Sequence, residues 1–164
     1  MKSAIFSIIF LLSLNLYAES DIAQIEKYEA FDNWIYGAFE IENPETESSI
    51  LKLGESIKVS EQEYIIGHAA NPLKAVICEF HGLEVQAIIE QTEFKIAHII
   101  QITIDSSSWP LSNGITVGQE VSVLSKLLVS PNEGTLKYCG LSNCVEFMIK
   151  DNIISVIKIS LYAD

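Results

Sequence analysis

The feature that most restricts the fold of this chain is a similarity between two short segments. The segment at 115–123 (ITVGQEVSV) has the apolar pattern of the segment at 51–59 (LKLGESIKV), and each contains one glycine, Gly118 and Gly54. Such a match predicts an internal duplication, in which both halves of the chain build the same elements in the same order. A chance similarity between two β-rich segments is the alternative.

Each of these segments is predicted to open a unit made of a helix and three strands. After Gly118 the apolar residues recur with the 3.6-residue period of a helix up to Leu128, whereas polar residues at 60–63 interrupt the pattern after Gly54. Three strand-like runs follow each predicted helix. They lie at 75–80, 83–89 and 96–104 in the first unit, and at 135–139, 144–149 and 153–161 in the second.

We therefore predict an α+β fold. Two tandem repeats, each a helix plus an antiparallel meander, are expected to form a layered sheet covered by helices. The aromatic stretch at 31–41 adds a further predicted strand. The predicted organisation is a signal peptide at 1–18, an N-terminal segment with a strand and an acidic loop at 19–49, repeat 1 at 50–105 and repeat 2 at 106–164.

Residues 1–18 have the layout of a secretory signal peptide. Lys2 precedes an apolar run at 4–16, and Ala18 provides a small residue just before the charged Glu19. The apolar run is short for a membrane span, although a retained anchor helix is the alternative. We expect cleavage after Ala18 and a periplasmic or secreted protein that keeps no stable membrane anchor.

The chain is strongly acidic. It has 22 acidic residues and 10 basic ones, a net charge of −12. An acidic surface repels nucleic acid and anionic lipid, which proteins bind through clustered Lys and Arg side chains. The charge favours a basic protein partner, because the electric field speeds the encounter of opposite charges. High solubility alone is the alternative explanation.

The three cysteines fit an oxidising compartment. Cys139 and Cys144 are separated by four residues that suit a hairpin tip, and we predict a disulfide between them. Cys78 is then left over, most simply as a buried free thiol.

The sequence contains no recognisable catalytic or metal-binding motif. Cys78 and His81 are three positions apart, so on a strand they point to opposite faces. Cys139 and Cys144 lack the Cys-x-x-Cys spacing of disulfide exchangers. The histidines lack the spacing of a metal pair, and the glycines do not form a phosphate-binding loop. We expect no metal, no cofactor and no enzymatic activity; a small hydrolase with an unrecognised site is the alternative.

An aromatic stretch followed by an acidic loop near the N-terminus is the best candidate contact surface. Tyr and Trp side chains rimmed by charge are typical of protein interfaces. The alternative for the aromatic residues is a place in the core, and the alternative for the acidic run is a solvated surface. For Trp109 a further alternative is to pack at the junction between the two repeats. The candidate interface residues are Trp34, Tyr36, Phe39, Glu40, Glu42, Glu45, Glu47 and Trp109.

Several motifs together resemble known envelope proteins. The opening GITVGQEVSVLSKLL, a tyrosine-bearing strand, and a hairpin ending in V-x-F before an I-x-I-x-L strand are similar to the module of β-lactamase-inhibitor proteins and to small outer-membrane assembly lipoproteins. The similarity covers 51–161 in outline. The resemblance implies a non-catalytic, protein-binding module. Its concrete forms are an inhibitor or immunity protein acting on a basic partner, or an envelope scaffold or assembly accessory.

Overall fold

The computed structural model covers most of the chain after the predicted signal peptide. The residues it describes are 25–26, 28–30, 32–39, 46–64, 73–90, 95–127 and 134–161. The predicted signal peptide at 1–18 lies outside these residues, as do Glu40, Glu42 and Glu45 of the acidic run.

Strands dominate the described residues, and helical structure is sparse. The helical segments are α1 (32–36, with further helical residues at 25–26 and 28–30), α2 (Glu47–Leu51) and a 3₁₀ helix (Val121–Leu127). The strands are β1 (Lys58–Tyr64), β2 (Leu73–Phe80), β3 (Leu83–Ile89), β4 (Ala97–Ile104), β5 (Gly134–Cys139), β6 (Cys144–Lys150) and β7 (Ile153–Ser160).

All seven strands belong to one antiparallel sheet with the order β1-β2-β3-β4-β7-β6-β5. Two meanders, β2-β3-β4 and β5-β6-β7, meet where β4 pairs with β7, for example with Ile102 opposite Ile159. This arrangement leaves β1 and β5 as the two edges of the described sheet.

The core lies on one face of the sheet, because apolar and polar residues alternate along the strands and bring every second side chain to the same face. Buried residues such as Val85, Ile104 and Phe147 form this face. The three short helical segments contribute Ile35, Ile50, Val121 and Leu124 to the same core, and the irregular connection at 105–120 contributes Leu111 and Ile115.

The opposite face of the sheet is polar. One row of residues crosses all seven strands in register, with an ion pair of 2.9 Å at each end, Lys58–Glu79 and Lys137–Glu146. The full row is Lys58, Glu79, Glu84, Thr103, Lys158, Glu146 and Lys137.

The six predicted strand runs are confirmed, but the predicted α+β fold of two helix-plus-meander repeats covered by helices is wrong. The fold is mostly a single seven-stranded sheet with few helical residues. In the second half, the long helix predicted after Gly118 is only the seven-residue 3₁₀ helix. The reason is that the backbone before it pairs with the start of β7. The N–H groups of Gly118 and Val121 donate to the carbonyls of Ile154 (2.8 Å) and Asn152 (3.0 Å).

In the first half, the helix lies before Gly54 and not after it. Thr46 and Ser49 form a capping box: Thr46 Oγ1 accepts from the Ser49 N–H (3.1 Å), and Ser49 Oγ accepts from the Thr46 N–H (2.7 Å). This cap starts α2 at Glu47. Gly54 therefore precedes a strand whereas Gly118, with φ of +89°, precedes the 3₁₀ helix. The two glycines are not equivalent, and the division of the chain between 105 and 106 stays a prediction.

The strand predicted at 31–41 is also wrong where the structure describes it, because residues 32–36 are helical. Ile35 and Ala38 are buried, and Phe39 packs against the core. This spacing of i, i+3 and i+4 places one face of a helical turn on the sheet, which outweighs the strand preference of aromatic residues.

Candidate functional site

The predicted interface aromatics lie in two different environments. Trp34, Phe39 and Trp109 are half-buried and pack against the core, whereas 52% of the surface of Tyr36 is exposed. Of the four aromatic candidates, Tyr36 thus presents the most surface to a partner. The described structure brings Phe39 and Trp109 into contact.

Trp109 joins three parts of the protein. Its indole N–H donates a hydrogen bond of 2.9 Å to the carbonyl of His81, in the turn between β2 and β3. Its ring lies 6.2 Å, centroid to centroid, from both Phe39 and Phe80. A Cβ at Gly54 would lie 3.6 Å from the same ring. Trp109 thus links the end of α1, the end of β2 and the turn after α2.

Glu47 is the one member of the predicted acidic run that the structure describes. It lies in the first turn of α2, where a negative charge is favourable. Burial raises the pKa of the Cys78 thiol above its ordinary value, and the negative charge of Glu47 raises it further.

The predicted disulfide between Cys139 and Cys144 is confirmed, and it closes the tip of the β5–β6 hairpin. The same tip is hydrogen-bonded to the first residue of α1, Asp32. Asp32 Oδ1 accepts hydrogen bonds from the backbone N–H groups of Ser142 (3.2 Å) and Asn143 (2.8 Å). A Cβ at Gly140 would lie 2.5 Å from Asp32 Oδ1 and 2.8 Å from its Cα, so only glycine allows this approach. No local pattern in the sequence indicated this contact.

Sequence reasoning also missed a surface at the edge of the sheet. Ile57 and Val59 are 57% and 44% exposed, although both are large apolar residues. Val59 and Glu61 pair with the core residues Cys78 and Val76, so they lie on the core side of β1. We define the β1 edge surface as Glu55, Ile57, Val59, Glu61 and Glu63. The available signal is the placement of apolar and acidic residues at every second position from 55 to 63, but the sequence alone predicts a helix with an interrupted apolar face here.

Cys78 and His81, the pair considered for nucleophilic chemistry, lie in different environments in the described structure. Cys78 is buried in the core, whereas His81 is exposed in the turn after β2. His98 Nε2 lies 2.7 Å from Glu90 Oε1 in an exposed pair. Within the described ranges, there is no group of three His, Cys, Asp or Glu residues placed to hold a metal ion.

No helix among the described residues is both long enough and apolar enough to cross a membrane. Comparisons with protein families, with curated proteins and with solved structures found no match. The resemblance to β-lactamase-inhibitor proteins and assembly lipoproteins therefore stays a prediction.

Proposed function

We propose that this chain is an exported, non-catalytic protein-binding module of the inhibitor or immunity type, and that its partner is a basic protein. The observation that carries the proposal is the β1 edge surface, where the exposed apolar side chains of Ile57 and Val59 lie between exposed acidic ones at the rim of a sheet. Such a surface offers both apolar area to bury and a charge that selects the partner.

The disulfide supports export. Disulfides such as Cys139–Cys144 form and persist mainly in oxidising compartments, including the periplasm and the outside of the cell. The signal-peptide layout of residues 1–18 leads to the same location. Both observations fit a protein that meets its partner outside the cytoplasm.

The charge supports a basic partner. A net charge of −12 on 164 residues gives a long-range field that attracts positive proteins and repels nucleic acid. Glu55 and Glu63 are exposed and make no ion pair with any other described residue, so their charges are open to a partner. Such attraction between exposed charges weakens as salt rises.

The test is capture of partners from an envelope extract by the purified, exported chain. We expect a basic protein that is retained at low salt and released at high salt. The variant with Glu55→Gln and Glu63→Gln should retain less of it. The matched control, Glu29→Gln with Glu120→Gln, removes the same charge from exposed positions outside the β1 edge surface. Absence of any salt-sensitive protein, or equal retention by both variants, contradicts the proposal.

A further inference from the structure

We propose that the partner binds by adding an extended, basic strand to β1, so that the sheet gains an eighth strand. This inference rests on the proposed function and specifies how the same surface acts.

The backbone of β1 is open on one side. Among the described strands β1 pairs only with β2, so every second residue directs its N–H and C=O groups away from the sheet. The pairing runs without interruption from Lys58 opposite Glu79 to Tyr64 opposite Leu73, unlike the β3–β4 and β6–β7 pairs, which contain register shifts. An unbroken edge of seven residues is a template for another strand.

Glu61 and Glu63 on the core side protect the edge of β1 against an acidic strand but not against a basic one. The strand contains no proline, and its one lysine, Lys58, is held by Glu79 on the polar face. The other edge is different. β5 begins at Gly134, with φ of +123°, and ends at the Cys139–Cys144 disulfide, whose loop contacts Asp32. Of the two described edges, β1 is therefore the one that suits strand addition.

The side chains of β1 select a basic strand. Val59, Glu61 and Glu63 lie on one side of the strand, because side chains alternate between faces. An incoming strand that carries both apolar and basic residues at every second position, on this same side, places them next to Val59 and Glu63, and opposite charges on neighbouring strands stabilise the pairing. Glu61 already forms an ion pair with Lys74, so Glu63 offers the less neutralised charge.

A second copy of this chain suits the edge poorly. In a symmetric antiparallel pair of β1 strands, a twofold axis at Glu61 sets the two Glu61 side chains against each other. An axis at Val59 instead sets Glu55 opposite Glu63, and an axis at Ser60 sets Glu61 opposite the apolar Val59, without an opposite charge. Like charges directly opposite destabilise a sheet, and each copy also carries a net charge of −12. The edge therefore favours a foreign, basic strand over self-association.

The probe for this proposal is a synthetic peptide about nine residues long, so that it spans β1, with valine and lysine in turn at its odd positions and threonine at its even positions. Fluorescence anisotropy measures its binding to the purified, exported chain. We expect binding that weakens with salt, and no binding of the matched valine–glutamate peptide. Two further basic peptides carry N-methyl groups on odd or on even residues. Strand addition predicts that one of them loses affinity by at least about tenfold, because its methyl groups block the hydrogen-bonding edge.

A pair of protein variants tests the site. Ile57→Lys places a positive charge on the β1 edge surface, and Leu141→Lys places it at the β5–β6 tip on a residue of nearly equal exposure, 57% against 58%. We expect Ile57→Lys to weaken binding of the basic peptide by at least about tenfold and Leu141→Lys to leave it within about twofold. Circular dichroism and urea unfolding confirm that both variants fold.

The outcomes separate this inference from the proposed function. If a salt-sensitive protein is captured but binds Ile57→Lys as well as the unmodified chain, strand addition is overturned and the proposed function stands. If no such protein is captured but one N-methylated peptide alone loses binding, the proposed function fails and the edge assignment stands. Equal binding of both N-methylated peptides, or a wild-type dimer that Ile57→Lys dissociates, also overturns the inference.

Discussion

Asp32 Oδ1 accepts a hydrogen bond of 2.8 Å from the backbone N–H of Asn143, across a separation of 111 positions in the chain. The same oxygen accepts from Ser142 at 3.2 Å. One carboxylate near the start of the described chain thus satisfies two backbone donors in the disulfide loop. Hydrogen bonds to a charged group are stronger than those between neutral groups, so this contact is expected to anchor α1 to the sheet.

Replacement of Asp32 is expected to weaken the attachment of α1 to the loop at the β5–β6 tip. Asp32→Ala leaves the N–H groups of Ser142 and Asn143 without their acceptor and should lower the free energy of unfolding by about 2 kcal/mol. The matched control is Asn33→Ala, at an exposed neighbour in the same helix. Urea unfolding measures both variants. A loss no larger than that of the control contradicts the anchoring role.

Removal of the disulfide is expected to weaken the same contact. The double replacement Cys139→Ser and Cys144→Ser opens the loop and should destabilise the fold by roughly 2 kcal/mol, because the unfolded chain gains conformational freedom. Since the loop then no longer presents its amides rigidly to Asp32, Asp32→Ala should cost less in this background than in the unmodified chain. A double-mutant cycle by urea unfolding measures the coupling, and strictly additive losses argue against it.

Gly82 and Gly114 allow the effect of crowding to be separated from that of backbone conformation. Both have positive φ, +78° and +82°, so alanine is strained at either position by about 1 kcal/mol. At Gly82 a Cβ would also clash with the Cβ of Ser106, whereas at Gly114 it meets nothing within 4 Å. Gly82→Ala should therefore destabilise the protein by about 1–3 kcal/mol more than Gly114→Ala. Similar unfolding midpoints for the two variants count against this account.

Trp109 is expected to contribute through both its ring and its N–H group. Trp109→Phe keeps most of the aromatic contact with Phe39 and Phe80 but leaves the His81 carbonyl without its donor, which should cost about 1 kcal/mol. Trp109→Ala also removes the ring and should cost about 3 kcal/mol or more. Urea unfolding of the two variants separates the contributions. If Trp109→Phe is as stable as the unmodified chain, the hydrogen bond is not a source of stability.

Cys78 is expected to resist modification in the folded protein. The side chain is buried, and burial raises the pKa of its thiol above the ordinary value of 9.0, with a further increase from Glu47. Because the thiolate is the reactive form, iodoacetamide should not label the native chain at neutral pH. In urea one cysteine should be labelled without reductant, and all 3 after reduction. Mass spectrometry counts the labels, and rapid native labelling contradicts burial.

The same raised pKa predicts how stability depends on pH. The folded state favours the protonated thiol, so the stabilisation is fully present below pH 9.0 and is lost as pH rises towards the pKa of folded Cys78. Burial raises the pKa of Tyr138 above 10.0 and adds to the loss in the alkaline range. The free energy of unfolding should fall as pH rises above 9.0, and fall less in Cys78→Ala. An equal fall in both proteins contradicts the role of Cys78.

From the sequence alone, helix and strand are hardest to distinguish in the segments around Ile35 and Val59. The aromatic residues around Ile35 favour a strand locally, but the structure uses Ile35 and Ala38 as one buried face of a helical turn. The segment around Val59 was predicted to be a helix and is instead strand β1. Short apolar runs do not separate the two periods, so tertiary contacts decide between them.

The aromatic residues of the candidate interface also fall into two groups, exposed and packed against the core. The exposure of Tyr36 agrees with a contact role, while the packing of Phe39 against Trp109 agrees with the core alternative. Whether a side chain binds a partner or fills the core depends on what lies beside it. Tyr36 and Phe39, two aromatic residues of one short stretch, therefore lie in different environments.

The sequence by itself determined the six strands of the two meanders and the Cys139–Cys144 disulfide, because alternation with a period of two and close cysteine spacing are local properties. Only the tertiary structure decided that β4 pairs with β7, that β1 lies at an open edge, and that Asp32 holds the loop at Asn143. These features depend on hydrogen bonds between residues far apart in the chain. No short segment carries a signal for the strand or loop that will satisfy its backbone groups.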